Sequence, residues 1–108
     1  MVRRSFSADL LASLRELPSD LVLSHLAIDL KADPTFEPVK HAASRRWHVY
    51  TVRGDFEILT TGPKWYDTRA GKGGGGAIDL AIHVLGLPFV DAVRHLTDHV
   101  GLHGPDHP

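Results

Sequence analysis

The spacing of apolar residues changes twice along this chain. From Leu10 to Leu26 they recur every three or four positions, the period of a helix with one buried side. Ser7-Ala8-Asp9 gives a start signal, Leu10, Leu11, Leu14 and Leu17 form the stripe, and Pro18 stops it. Ser19 is placed to cap a second short helix through Leu21, Val22, His25 and Leu26, with Asp20 favourable in its first turn. Beyond Arg46 the pattern alternates. Residues 46–52 are rich in β-branched and aromatic side chains, Arg53-Gly54-Asp55 reads as a turn, and residues 56–61 read as a second strand. Gly62-Pro63 turns the chain again before a third strand, Lys64-Trp65-Tyr66-Asp67. Residues 35–39 offer a further strand, which Pro34 and Pro38 would confine to an edge. The connections are too short for parallel crossovers, so the sheet is an antiparallel meander.

After four glycines the helical period returns. Ala77, Ile78, Leu80, Ala81, Val84 and Leu85 share a face, and Gly86 ends the run. Leu87-Pro88 opens a last helix with Phe89, Ala92, Val93, Leu96 and Val100 inward, stopped by Gly101. The predicted fold class is α+β: a small antiparallel sheet of three to four strands, zinc-ribbon-like, flanked by an N-terminal helical pair and two C-terminal helices. Residues 1–101 form one domain and residues 102–108 a flexible tail.

Composition narrows the function classes. The chain has 108 residues, 43% of them hydrophobic, with a net charge of -1, which suits one globular domain and not a disordered chain. With no cysteine there is no disulfide, no thiol catalysis and no thiolate metal site. No apolar run approaches the roughly 20 residues of a membrane span. Asp9, Arg15 and Glu16 interrupt any signal-peptide core, so the expected location is the cytoplasm.

The small net charge hides an asymmetry. Between Lys31 and Gly76 there are eight basic and five acidic residues, against four and eight in the rest of the chain. A basic middle points weakly to a polyanionic partner. Aromatic residues lie on the same strands: Trp47 and Tyr50, then Trp65 and Tyr66. Aromatics on a basic sheet face make a platform for single-stranded nucleic acid, although at least two of these four are expected in the core.

Gly71-Lys72-Gly73-Gly74-Gly75-Gly76 formally matches a dinucleotide fingerprint, but the strand-helix-strand repeats of that fold are missing. A phosphate-loop motif fails because Gly73 stands where Ser or Thr is required. Two readings remain. The glycines either present bare amides at a helix start beside Arg69 and Lys72, or let the chain pass tightly between strand and helix. Among the eight histidines, His41 and His48 flank a turn, with Asp67 a conceivable third ligand. His95 and His99 stand four apart on the last helix without an acid partner, and His83 is expected in solvent. Asp79 suits the first turn of its helix, and no set of residues suggests an active site.

Trp65-Tyr66-Asp67, the glycines, Gly76-Ala77-Ile78-Asp79-Leu80, and then Leu85-Gly86-Leu87-Pro88-Phe89-Val90-Asp91-Ala92-Val93 with Leu96 resemble the C-terminal half of a known domain. It is the CHC-type zinc-finger domain at the N-terminus of bacterial DNA primases. Leu21-Val22-Leu23 and Leu30-Lys31 resemble its opening helix and strand. The chain is most similar to cysteine-free relatives that precede TOPRIM primase-like proteins of plasmids and mobile elements. The resemblance implies a non-catalytic module that contacts single-stranded template, with polymerase chemistry in a separate TOPRIM domain. It also implies that the family's zinc is lost here. His41 falls near the family's histidine, and Tyr66, Asp67 and Arg69 occupy the region of its later cysteines.

The sequence therefore predicts a domain that binds single-stranded DNA or RNA in the service of a TOPRIM primase or helicase, in cis or in trans, with no cofactor. Trp65 or Tyr66 would stack on bases, and Arg45, Arg46, Lys64, Arg69 and Lys72 would meet phosphate. The amides of Gly73, Gly74 and Gly75 are further donors. The competing expectation is a protein-docking or scaffolding module with a basic face.

Overall fold

The computed structural model describes residues 6–100. Helices α1 (Ala8–Arg15) and α2 (Ser19–Leu26) are followed by strands β1 (Asp29–Ala32), β2 (Arg45–Thr51), β3 (Gly54–Thr61), β4 (Lys64–Asp67) and β5 (Lys72–Gly74). Helices α3 (Ala77–Leu85) and α4 (Phe89–Val100) come last. The strands form one sheet in sequential order, and every neighbouring pair is antiparallel. The architecture is α+β, as the apolar spacing predicts. The side chain of Val100, Gly101 and the expected tail at 102–108 lie outside the described residues, as do residues 1–5. No helix among the described residues is long and apolar enough to cross a membrane.

Three local expectations need correction. Residues 35–39 are not a strand, although the sheet, with five strands, is close to the three or four expected. The strand that edges the sheet beside β2 is instead β1, and Ile28 extends that pairing by donating its amide to the Tyr50 carbonyl at 2.7 Å. Ser19 does not cap α2. Pro18 takes that position without a side-chain bond, and the buried Ser19 hydroxyl instead meets the carbonyl oxygens of Gly62 and Lys64 at 2.7 and 2.9 Å. That hydroxyl ties α2 to the β3–β4 turn. The glycine segment, finally, is partly a strand: Lys72, Gly73 and Gly74 pair with Asp67, Tyr66 and Trp65.

Two other helix signals act as read. Ser7 is extended, and its Oγ accepts the Leu10 amide at 3.0 Å, the geometry of an N-cap. Gly86 takes a left-handed conformation at the end of α3, and its amide reaches the Ile82 carbonyl.

Register gives the sheet two faces. Trp47, Val49, Ile58 and Trp65 point toward the helices, where Leu14, Val22, Leu23, Leu80, Val84, Val93 and Leu96 complete the core. Polar groups on this face are bonded. Thr51 Oγ1 donates to the Val84 carbonyl at 2.7 Å, Trp47 Nε1 to Thr60 Oγ1 at 2.9 Å, and Trp65 Nε1 to the Gly76 carbonyl at 3.2 Å. Among the described residues no helix covers the opposite face, where Lys31, Arg46, His48, Tyr50, Glu57, Leu59, Lys64 and Tyr66 stand in register. Only the segment between β1 and β2 crosses part of it.

Candidate nucleic-acid interface

That segment, residues 33–44, is anchored at both ends. At its start Asp33 Oδ1 accepts the Thr35 amide at 2.9 Å and the Thr35 hydroxyl at 2.7 Å. Asp33 Oδ2 accepts Arg46 Nε, and Arg46 Nη2 lies 2.8 Å away. The Thr35 hydroxyl, the Thr35 amide and then Arg46 hold the Asp33 carboxyl far below its ordinary range, so it stays ionised. The Arg46 guanidinium also sits over the Phe36 ring, 5.2 Å from its centre. At the far end the Ser44 amide reaches the His41 carbonyl at 3.0 Å, and the Ser44 and Thr61 hydroxyls share a hydrogen bond of 2.6 Å.

Between this segment and the sheet lies an open cleft of about 540 Å³. Phe36, Val39, Leu59, Trp65, Tyr66 and Gly74 give it apolar walls, and Lys40, His41, Lys64, Ser44 and Thr61 supply its polar groups. Among the described residues, no Asp or Glu lines it. A cleft with cations at its walls and no carboxylate among them favours an anionic ligand that carries apolar surface.

The residues picked out in the sequence separate. Tyr66 is 45% exposed on the open face beside the cleft, and Lys64 joins it there. Trp65 is 4% exposed and belongs to the core, so it lines the cleft but cannot offer a free face to a base. This follows from strand alternation, which sends adjacent residues to opposite faces. Arg45 is exposed, and its guanidinium donates to the Ala42 and Ser44 carbonyls, bracing the segment's return. Arg46 is engaged by Asp33, with Glu57 at 3.9 Å, and is a structural cation more than a free one. Arg69 and Lys72 are exposed, but neither lines the cleft.

The glycines are explained mainly by close passage. A Cβ on Gly74 would lie 2.7 Å from the Trp65 ring, and one on Gly73 would lie 2.8 Å from the Trp65 carbonyl oxygen. Gly75 meets nothing within 4 Å. Gly73 and Gly74 are thus required by packing, whatever their amides do.

His41, His48 and Asp67 do not come together. His48 stands on the open face, 3.6 Å from Asp33, while Asp67 points to the helices. Asp33, His48 and Glu57 do bring ligand atoms within 4.8 Å of one another, but the Arg46 guanidinium already pairs with that carboxylate cluster. Zinc held as in the resembled family does not fit these residues either. The donors at its expected positions, Tyr66 and Asp67, face opposite sides of the sheet, and there are no thiolates.

His83 departs most from expectation. It is half-buried, not solvated: its Nε2 lies 2.6 Å from Asp67 Oδ2, and its ring stacks on Trp65 with centres 5.0 Å apart. Asp67 Oδ1 accepts the amides of Arg69 and Ala70 at 2.9 and 3.0 Å. Burial opposes ionisation of Asp67, but the His83 bond and then the Ala70 and Arg69 amides outweigh it. The carboxyl is held below its ordinary 3.8. This network fixes the turn between β4 and β5. The stripe Ala77, Ile78, Leu80, Ala81, Val84 leaves His83 off the main apolar face, and its neighbours on the sheet, Asp67 and Trp65 on β4 and Phe56 on β3, explain its burial.

No family model matches the chain, and no solved structure does. A protein of Zymomonas mobilis subsp. mobilis, described as a "65 kDa protein", is 37% identical over 89 residues. The match covers 82% of this chain and 13% of that protein. The chain therefore corresponds to a small part of that relative's length.

Proposed function

We propose that this domain is a non-catalytic module that binds single-stranded nucleic acid on the open face of its sheet and serves a larger primase-type replication protein. The observation that carries the reading is the carboxylate-free cleft beside the exposed Tyr66, with Lys40, His41 and Lys64 among its walls. Stacking on an aromatic and neutralisation of phosphates by nearby cations are the two elements of sequence-tolerant single-strand binding. The resemblance of residues 65–96 to the primase zinc-finger domain supports the same partner. The recurrence of this segment as a small part of a larger protein supports service in a longer chain. Zinc has no role in the proposal.

The test is a fluorescence titration with a short single-stranded oligonucleotide at low and moderate salt, run on the wild type and on Lys64→Ala. Binding should weaken with salt, and Lys64→Ala should reduce the slope of log K against log salt by about 0.7. A duplex of the same length should bind more weakly. No binding at low salt would overturn the reading.

A second reading, protein docking, is favoured by Ile28 and Val52, which are 63% and 80% exposed at one end of the sheet. Binding indifferent to strandedness and abolished at Val52, not at Lys64, would select it.

A further inference from the structure

We infer that the cleft between residues 33–44 and the sheet holds one unpaired base of the bound strand, read at its edge by the Ser44–Thr61 hydroxyl pair. The inference rests on the single-strand reading above and adds to it a specific pocket and a reason for base preference.

Size is the first argument. About 540 Å³ falls within the range of roughly 300–1,000 Å³ typical of small-ligand pockets, enough for one nucleotide and too small for a stack of several. Wall chemistry is the second. Tyr66, Phe36 and Leu59 offer flat or apolar surface, and the exposed Tyr66 ring lies beside Gly73, where a side chain would crowd it. A base presents just such a face.

The third argument concerns the polar groups. Ser44 and Thr61 bond to each other across the join between the segment and β3, so each hydroxyl keeps acceptor capacity and the pair can rotate toward a ligand. They can satisfy a donor or an acceptor on a base edge without leaving a buried group unpaired. An acyl chain with an anionic head would match the cations but make no use of these hydroxyls. Lys40 and Lys64 then fall to the flanking phosphates. Neither forms an ion pair among the described residues.

The cleft is also held open by a device independent of any ligand. Asp33, Thr35 and Arg46 brace one end of the segment, and Ser44 braces the other. A preformed pocket loses less affinity to the cost of ordering a loop around its ligand.

The experiment compares a short oligothymidylate with an abasic oligomer of the same length and charge, binding to wild type and Tyr66→Ala. Tryptophan fluorescence is the readout, because Trp65 lines the cleft. The wild type should bind the base-bearing strand about tenfold more tightly than the abasic one. Tyr66→Ala should erase most of that difference, and a urea denaturation midpoint close to that of the wild type shows that the variant is folded, since Tyr66 stands exposed outside the core. Equal binding of the two strands by the wild type would overturn base capture and leave the electrostatic reading standing. A failure of both strands to bind at low salt would overturn both.

Discussion

At the scale of single residues, side chains that look alike in the sequence have different tasks. The four consecutive glycines are the clearest case. Gly74→Ala forces a methyl group against the Trp65 ring and should destabilise the fold by about 1–3 kcal/mol in urea denaturation. Gly75→Ala meets open space and should be neutral or slightly stabilising, because it removes freedom from the unfolded chain. Equal losses at the two positions would refute the packing explanation. The Asp67–His83 pair makes a second case. Asp67→Ala removes three accepted hydrogen bonds and strands a half-buried histidine, so a loss of about 2 kcal/mol or more is expected. The sign of the pH effect follows from the lowered folded pKa. Asp67 contributes its full stabilisation above its unfolded value near 4, and the contribution is lost as pH falls through the folded value. Asp67→Asn should therefore flatten the acid limb of the stability profile. A profile as steep as that of the wild type would place the acid sensitivity on other carboxylates.

Elements show where sequence reading succeeds and where it stops. The helices and the strands β2, β3 and β4 were legible because each carries a periodic apolar face and a local boundary signal, such as Ser7, Pro18, Gly62-Pro63 or Gly86. β5 was not, and β1 shows only through the resemblance of Leu30-Lys31, for physical reasons. Asp29-Leu30-Lys31-Ala32 buries only one side weakly at an edge, and Lys72-Gly73-Gly74 has almost no side chains with which to show a period. Both are strands because a neighbour offers hydrogen bonds, which is tertiary information. Ser19 was misread for a similar reason, since a serine before an apolar run has the same local signature whether it caps its own helix or binds a distant turn. Its actual role predicts that Ser19→Ala costs about 1–2 kcal/mol, by leaving the Gly62 and Lys64 carbonyls without their hydroxyl donor. A cost near zero by chemical denaturation would mean that the hydroxyl does not hold α2 to the β3–β4 turn. The candidate site was half legible. The residue types were visible as aromatics and cations on alternating strands, but which of Trp65 and Tyr66 faces outward depends on register, and the cleft depends on a segment with no periodicity at all.

On the scale of the whole molecule, the two faces of the sheet divide the work. The covered face supplies the core, and the open face carries the cleft and the ion pairs of Arg46. Substitutions on one face should therefore leave the other largely unaffected, except at Trp65, which touches both the core and the cleft. The sequential order of the five strands also has a kinetic consequence. Each strand pairs with its neighbour in the chain, so the meander closes only short loops as it forms. The helical layer is different. α1 and α2 must meet α3 and α4 across the whole intervening sheet, a closure that is entropically dearer. Folding should then begin in the β2–β3 hairpin and finish with the docking of the first helices. In a chevron analysis, Ile58→Val should mainly slow folding, while Leu14→Ala should mainly speed unfolding. The reverse pattern would mean that the two ends of the chain meet before the sheet is built.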